Sequence, residues 1–217
     1  MIDDPGQGGA ERPIDASRRG PERLEAFSDG VFAIAITLLV LEIRVPSGEQ
    51  VASPKALLEA LAALWPSYLG YVVSFVTVGI MWANHHNLFR YVARVDHWLL
   101  FANLLLLLGV GFVPFPTALL AATIGGPGGQ IGVLAYAGTF VAIAVAFNVL
   151  WYRARIGGRL LRPDADRASI DAITRSYRLG PPGYLAAFLL SFVNAGLGMA
   201  VIIGLVILYT LPRSSGA

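Results

Sequence analysis

Residues 23–43 read RLEAFSDGVFAIAITLLVLEI, a run in which an aspartate, Asp29, stands one turn inside a helix that is apolar between it and Glu42. A helix needs about 20 predominantly apolar residues to cross the hydrocarbon core of a bilayer, and this run has that length. A charged side chain at the centre of a span costs about 2.5–3.5 kcal/mol on insertion scales, and less near the interface. Asp29 therefore needs a partner or a wet cavity, either as a structural hydrogen-bonded residue at the start of the helix or as a functional group. At 100° per residue, Leu38 and Leu41 fall within about 40° of Ile34, Thr37 lies about 60° to one side of it, and Asp29 points about 140° away. One stripe is thus purely apolar, and in a bundle such a stripe faces lipid or packs against another helix.

The rest of the chain is written for the same solvent. Of 217 residues, 56% are hydrophobic and 14% charged, with mean hydropathy +0.64, more apolar surface than a soluble domain of this size buries. No cysteine is present, which removes disulfide frameworks and thiolate metal sites. Basic residues exceed acidic ones by 16 to 14, and all but Lys55 are arginines, nearly all outside the apolar runs. That distribution orients a membrane protein; it does not bind nucleic acid. Residues 1–21, rich in Gly, Pro, Asp and Arg, read as a disordered tail. A secretory signal peptide ending at Ala33-Ile34-Ala35 is the competing reading of Val31 to Ile43. It is disfavoured because the leader is long and acidic and the mimic of a cleavage site lies inside the apolar run.

Apolar runs at 24–45, 62–83, 98–122 and 131–152 are each long enough to span. Gly183 to Leu211 is too long for one untilted span, and Asn194-Ala195-Gly196-Leu197-Gly198 is the expected break. The first of the resulting pair then begins upstream, near Ser176. Arginines concentrate in the N-terminal tail, in the turn with Arg90 and Arg94, and in the 153–178 loop, whereas 46–61 and Gly125 to Gln130 carry one lysine and no arginine. The arginine-rich segments belong on the cytoplasmic side. This alternation orients four spans and leaves five against six open.

The R-x-x-x-F-S-D pattern of Arg23, Phe27, Ser28 and Asp29, continuing through G-V-F-A-I-A-I-T-L-L-V-L-E-I, resembles the signature first helix of the prokaryotic transmembrane protein 175 family. These are potassium-permeable channels related to the endolysosomal channel of animals. Trp82-x-x-His85-His86-x-Leu88-Phe89, Asn103 and Pro114-Phe115-Pro116-Thr117 extend the resemblance over most of the membrane part. The resemblance implies an all-α polytopic bundle of six transmembrane helices over residues 22–211, with both termini, including the 212–217 tail, cytoplasmic. It further implies a homotetramer in the plasma membrane, with the first helix of each subunit lining a central pore. Ile34, Leu38 and Leu41 are then the apolar constriction and Thr37 the polar contributor to selectivity, with Arg23, Phe27, Ser28, Asp29, Trp82, His85, His86 and Asn103 as a motif and structural network. The expected partners are potassium ions, the lipid bilayer and other copies of the chain, with no cofactor.

His85 and His86 lie at about the depth of Asp29, so a pairing of Asp29 with one histidine, with Asn103 alongside, would satisfy the buried carboxylate. As metal ligands the histidines are poorly placed, since adjacent residues on a helix diverge by about 100°. Thr77-Val78-Gly79 resembles a potassium-filter fragment but lies in a continuous apolar run, and Gly125 to Gly129 form a turn without a following lysine. No span carries regularly spaced arginines, which argues against a voltage sensor. The expected activity is a leak-type potassium-permeable channel and not an enzyme. The alternative is a proton-coupled secondary transporter using Asp29 and His85.

Overall fold

The computed structural model describes residues 19–211, so the expected tails at 1–18 and 212–217 lie outside the described residues. The described chain is all-helical: α1 Arg19–Leu38, α2 Pro54–Ala63, α3 Trp65–Phe89, α4 His97–Phe112, α5 Pro114–Thr123, α6 Gly129–Arg155, α7 Arg167–Val193 and α8 Ala195–Thr210. A 3-10 turn, Leu39–Glu42, continues α1. Four stretches are long and apolar enough to cross a membrane: Gly20–Glu42, Trp65–Phe89, His97–Thr123 and Gly129–Gly158. They correspond to the four spans expected from hydropathy.

The third of these is bent where the chain loses a donor. Pro114 cannot supply an N–H to the preceding turn, so α4 ends at Phe112 and Val113 closes on Val110 O at 3.2 Å before α5 starts. Thr117, one turn on, resumes the ladder with its N–H 3.2 Å from Val113 O, and its hydroxyl donates to the same oxygen at 2.8 Å.

Helix α6 is the axis of the bundle, packing against α4, α5, α7 and α8. Its Tyr136, Phe140, Ile143 and Leu150 are essentially inaccessible, and Tyr136 OH is hydrogen-bonded to Ser74 Oγ of α3 at 2.8 Å. Helix α4 comes close because Gly109 has no side chain: a Cβ there would stand 2.7 Å from Ile143 Cγ1. Without a hydrophobic drive between helices in lipid, such small-residue contacts are what allow tight packing.

Helix α7 holds Pro181 and Pro182 in its interior. Pro181 has no N–H for the carbonyl of Tyr177 four residues earlier. Asn148 of α6 supplies the missing donor, its Nδ2 lying 3.0 Å from Tyr177 O and 2.9 Å from Ala144 O. The proline pair is tolerated because a neighbouring helix satisfies the freed group. The break between α7 and α8 falls at Asn194, whose extended backbone (φ −156°, ψ 124°) ends one helix while its side chain accepts from Leu197 N at 3.1 Å to start the next. Gly198 lets the two helices meet, since a Cβ there would collide with Ser191 Oγ and Ala187 O.

Three boundaries differ from the sequence expectation. Helix α1 begins at Arg19, so the last residues of the expected 1–21 tail are helical. Helix α7 begins at Arg167, not near Ser176, because Asp166 caps it by accepting from Ala168 N and Ser169 N. These bonds hold the Asp166 carboxyl below the usual carboxylate range, the Ser169 backbone N–H contributing most. The expected 153–178 loop is consequently short: α6 runs to Arg155, and the irregular connection ends at Asp166.

Candidate functional site: two faces of the first helix

Helix α1 packs chiefly on α3 and α4 and therefore has one covered and one uncovered face. Leu24, Ser28, Phe32, Ala35 and Leu39 form the covered stripe, at the spacing of three or four that one helix face requires. On the other side, Ile34 is 61% exposed, Leu38 40% and Leu41 70%. Leu41 belongs to the 3-10 turn and not to the α-helix proper. With three residues per turn there, Leu38 and Leu41 eclipse, so the stripe continues in spite of the tightening. Arg23 and Phe27, also exposed, lie within about 20° of Ile34 around the helix. Thr37 is exposed beside them and donates its hydroxyl to Ile34 O at 2.9 Å. With the proton turned into the helix, the oxygen lone pairs are left for an external cation or donor.

The motif residues behind the stripe form two hydrogen-bonded groups. In the buried group, Asn103 Nδ2 of α4 donates to Ser28 Oγ at 2.9 Å, and Ser28 donates to Leu24 O at 2.8 Å. Asn103 Oδ1 is 2.8 Å from His85 Nε2 of α3. Because Oδ1 only accepts, Nε2 is the donor. Nδ1 then lacks a hydrogen-bond partner, and the ring lies between Phe32 and Phe89, with centroids 5.4 and 4.5 Å away. A second proton on Nδ1 would have no acceptor in this packing.

The second group lies on the more accessible edge of the α1–α3 contact. Trp82 Nε1 donates to Asp29 Oδ1 at 2.9 Å. One turn away on both helices, His86 Nδ1 meets Glu25 Oε1 at 2.7 Å, and the Trp82 and His86 rings stack at 6.2 Å. The expected pairing of Asp29 with a histidine is therefore corrected. In antiparallel helices a step of four residues forward on one is a step of four back on the other, so Asp29 comes level with Trp82 and the histidine falls to Glu25. Glu25 carries no role in the sequence reading. The i, i+4 pairs Glu25/Asp29 and Trp82/His86 were the signal that could have found it. No hydrogen bond joins Asp29 to His85 among the described residues.

The fold and this site define a multi-pass α-helical membrane protein whose first helix presents a polar network to its own bundle and an unpartnered apolar stripe outward. The family model described as endosomal/lysosomal potassium channel TMEM175 matches residues 23–114. The chain is 51% identical over 193 residues to a potassium channel of Chamaesiphon minutus, covering 89% of this chain and 95% of that one. To a potassium channel of Streptomyces collinus it is 47% identical over 188 residues, covering 86% and 89%. Among solved structures, a lysosomal potassium-selective channel TMEM175 homolog from Chamaesiphon minutus superposes with TM-score 0.81 at 48% identity, covering 90% of this chain and 98% of that one. The chain belongs to the TMEM175 family, a family of ion channels and not of enzymes.

Proposed function

We propose that the chain is a leak-type, potassium-permeable channel of a prokaryotic plasma membrane, assembled as a homotetramer in which the uncovered stripe of α1 lines the pore. The carrying observation is the outward stripe itself, Ile34, Leu38 and Leu41, set against a subunit interior filled by Tyr136, Phe140 and Leu150 of α6. A subunit interior filled in this way supports a conducting surface formed between copies and not through one subunit. The six spans are then α1, α3, the bent α4–α5 pair, α6, α7 and α8, with the arginine-rich ends and both termini in the cytoplasm. What supports counting the α7–α8 hairpin with the spans is its packing against α6 and the apolar composition of Ala195–Thr210.

In this reading, four copies of Ile34, Leu38 and Leu41 form an apolar constriction that gates by dewetting, because an ion stripped of water finds no ligand there. Thr37 supplies hydroxyl oxygens that replace part of a potassium ion's hydration shell, which discriminates modestly against sodium. Thr37→Val should accordingly lower the potassium-to-sodium permeability ratio, and an unchanged ratio would remove Thr37 from selectivity. The deciding experiment is potassium flux through purified protein in liposomes under a potassium gradient and no proton gradient. Passive flux in the wild type, raised by Ile34→Asn, is expected. Flux that needs a proton gradient and saturates would point to a carrier instead.

A further inference from the structure

At the arginine-rich end of the bundle, the start of α1, the α3–α4 turn and the α6–α7 connection enclose a cavity of about 880 Å³. Arg90, Arg94, Arg159 and Arg162 line it. No carboxylate among the described residues comes within ion-pairing distance of any of them. Glu22, Glu25 and Asp164 also line the cavity, but Glu25 is held by His86. Four arginines bordering one space, none of them ion-paired among the described residues, repel one another, and an anion with several oxygens relieves that repulsion.

The walls that carry the arginines are pinned to each other. Val92 and Leu161 form an antiparallel bridge, with Ala93 N 2.8 Å from Leu160 O and Arg162 N 2.9 Å from Tyr91 O. Val92, Leu160 and Leu161 are buried there, and the neighbouring Arg159 and Arg162 are exposed on that fixed backbone. Gly157 and Gly158, at φ 70° and 65°, make the sharp turn that delivers the chain to this bridge. The result is a set of arginines whose main chain is placed before any ligand arrives, which lowers the backbone share of the ordering cost of binding.

We propose that this cavity binds an organic phosphate, the guanidinium forks of Arg90, Arg94, Arg159 and Arg162 holding the phosphate oxygens. A tetrahedral anion engages more than one fork at once, which a single carboxylate does not. The volume is that of a small-molecule site and far exceeds a bare phosphate ion, so the phosphate arrives with a body attached. The same chemistry is offered by the headgroup of an anionic phospholipid and by a soluble phosphate ester. The inference rests on the reading of this end as cytoplasmic, and it sets the ligand against the first turn of α1, whose Pro21 forms part of the wall.

The test is calorimetric titration of the purified, detergent-solubilised full chain, with short-chain phosphatidylglycerol and adenosine triphosphate as probes and short-chain phosphatidylcholine as the zwitterionic control. Saturable binding of phosphatidylglycerol, weakened about tenfold or more in the Arg159→Gln/Arg162→Gln protein and unchanged in Arg44→Gln, an exposed arginine that follows the Leu39–Glu42 turn and lies outside the cavity lining, is expected if the headgroup is the source. The same pattern with adenosine triphosphate identifies a soluble ester. The Arg159→Lys/Arg162→Lys protein keeps the charge while losing the forks, and is expected to bind more weakly than wild type. Absence of saturable binding by both probes, or binding at wild-type strength in both the glutamine and the lysine proteins, overturns the proposal. Binding is read without ion flux, so a protein that binds but does not conduct would refute the channel reading alone.

Discussion

Replacing Asn103 by leucine is expected to destabilise the bundle chiefly through a residue it leaves untouched. Asn103 accepts from His85 Nε2 at 2.8 Å and donates to Ser28 Oγ at 2.9 Å, and all three side chains are fully buried. Ser28 loses little, because its own proton remains on Leu24 O. His85 loses its one partner and becomes an imidazole with both nitrogens orphaned between Phe32 and Phe89. An unsatisfied buried donor costs about 1–3 kcal/mol, whereas hydrogen bonds between membrane helices average only about 0.6 kcal/mol when both partners are free to find others. Asn103→Leu should therefore cost about 2 kcal/mol. His85→Leu combined with Asn103→Leu should cost less than the sum of the two single changes by about 1 kcal/mol or more, since the orphan is removed along with its partner. Unfolding in detergent followed by tryptophan fluorescence reads this directly, with Trp82 one turn from His85 on α3. A single mutant within about 0.5 kcal/mol of wild type, or strict additivity in the double mutant, would refute the assignment of His85 and Asn103 as a mutually dependent pair.

Two further substitutions test the packing of the hairpin on α6. Asn148→Leu strips the donor from Tyr177 O, the carbonyl freed by Pro181, and should cost about 1 kcal/mol; adding Pro181→Ala, which restores an N–H to α7, should recover part of that loss in the same unfolding assay. Gly198→Val drives a side chain into Ser191 Oγ and Ala187 O and is expected to cost about 1–3 kcal/mol by overpacking, seen as a lowered unfolding midpoint; wild-type stability would mean that α7 and α8 stand further apart.

The legible parts of the fold were those that composition alone dictates. Long apolar runs must span, and two glycines beside an asparagine in an overlong run must break it, so the four main spans and the Asn194 break can be read from the sequence. The α4–α5 bend was hidden because hydropathy does not register the donor that Pro114 lacks. The start of α7 was hidden for the opposite reason: Arg167, Asp171, Arg175 and Arg178 look like a solvated loop, yet Asp166 caps a helix through them. At the site, the shared face of Ile34, Leu38 and Leu41 follows from helix periodicity, and that this face is uncovered is shown only by the structure. The partner of Asp29 does not follow from periodicity. It depends on the register between α1 and α3, and a shift of one turn exchanges a histidine for the indole of Trp82.

The central claim is that the uncovered stripe of α1 faces the ion path. The chain has no cysteine, so a single introduced thiol reports on its own position. Potassium flux should be measured in liposomes for Ile34→Cys, Leu38→Cys and Ile36→Cys, before and after a charged, membrane-impermeant thiosulfonate reagent. Ile36 is the control, partly buried against the bundle core on the far side of the helix. Block of flux at positions 34 and 38, with position 36 unaffected, is the predicted result. Block at 36 with 34 and 38 insensitive would contradict it and place the ion path elsewhere.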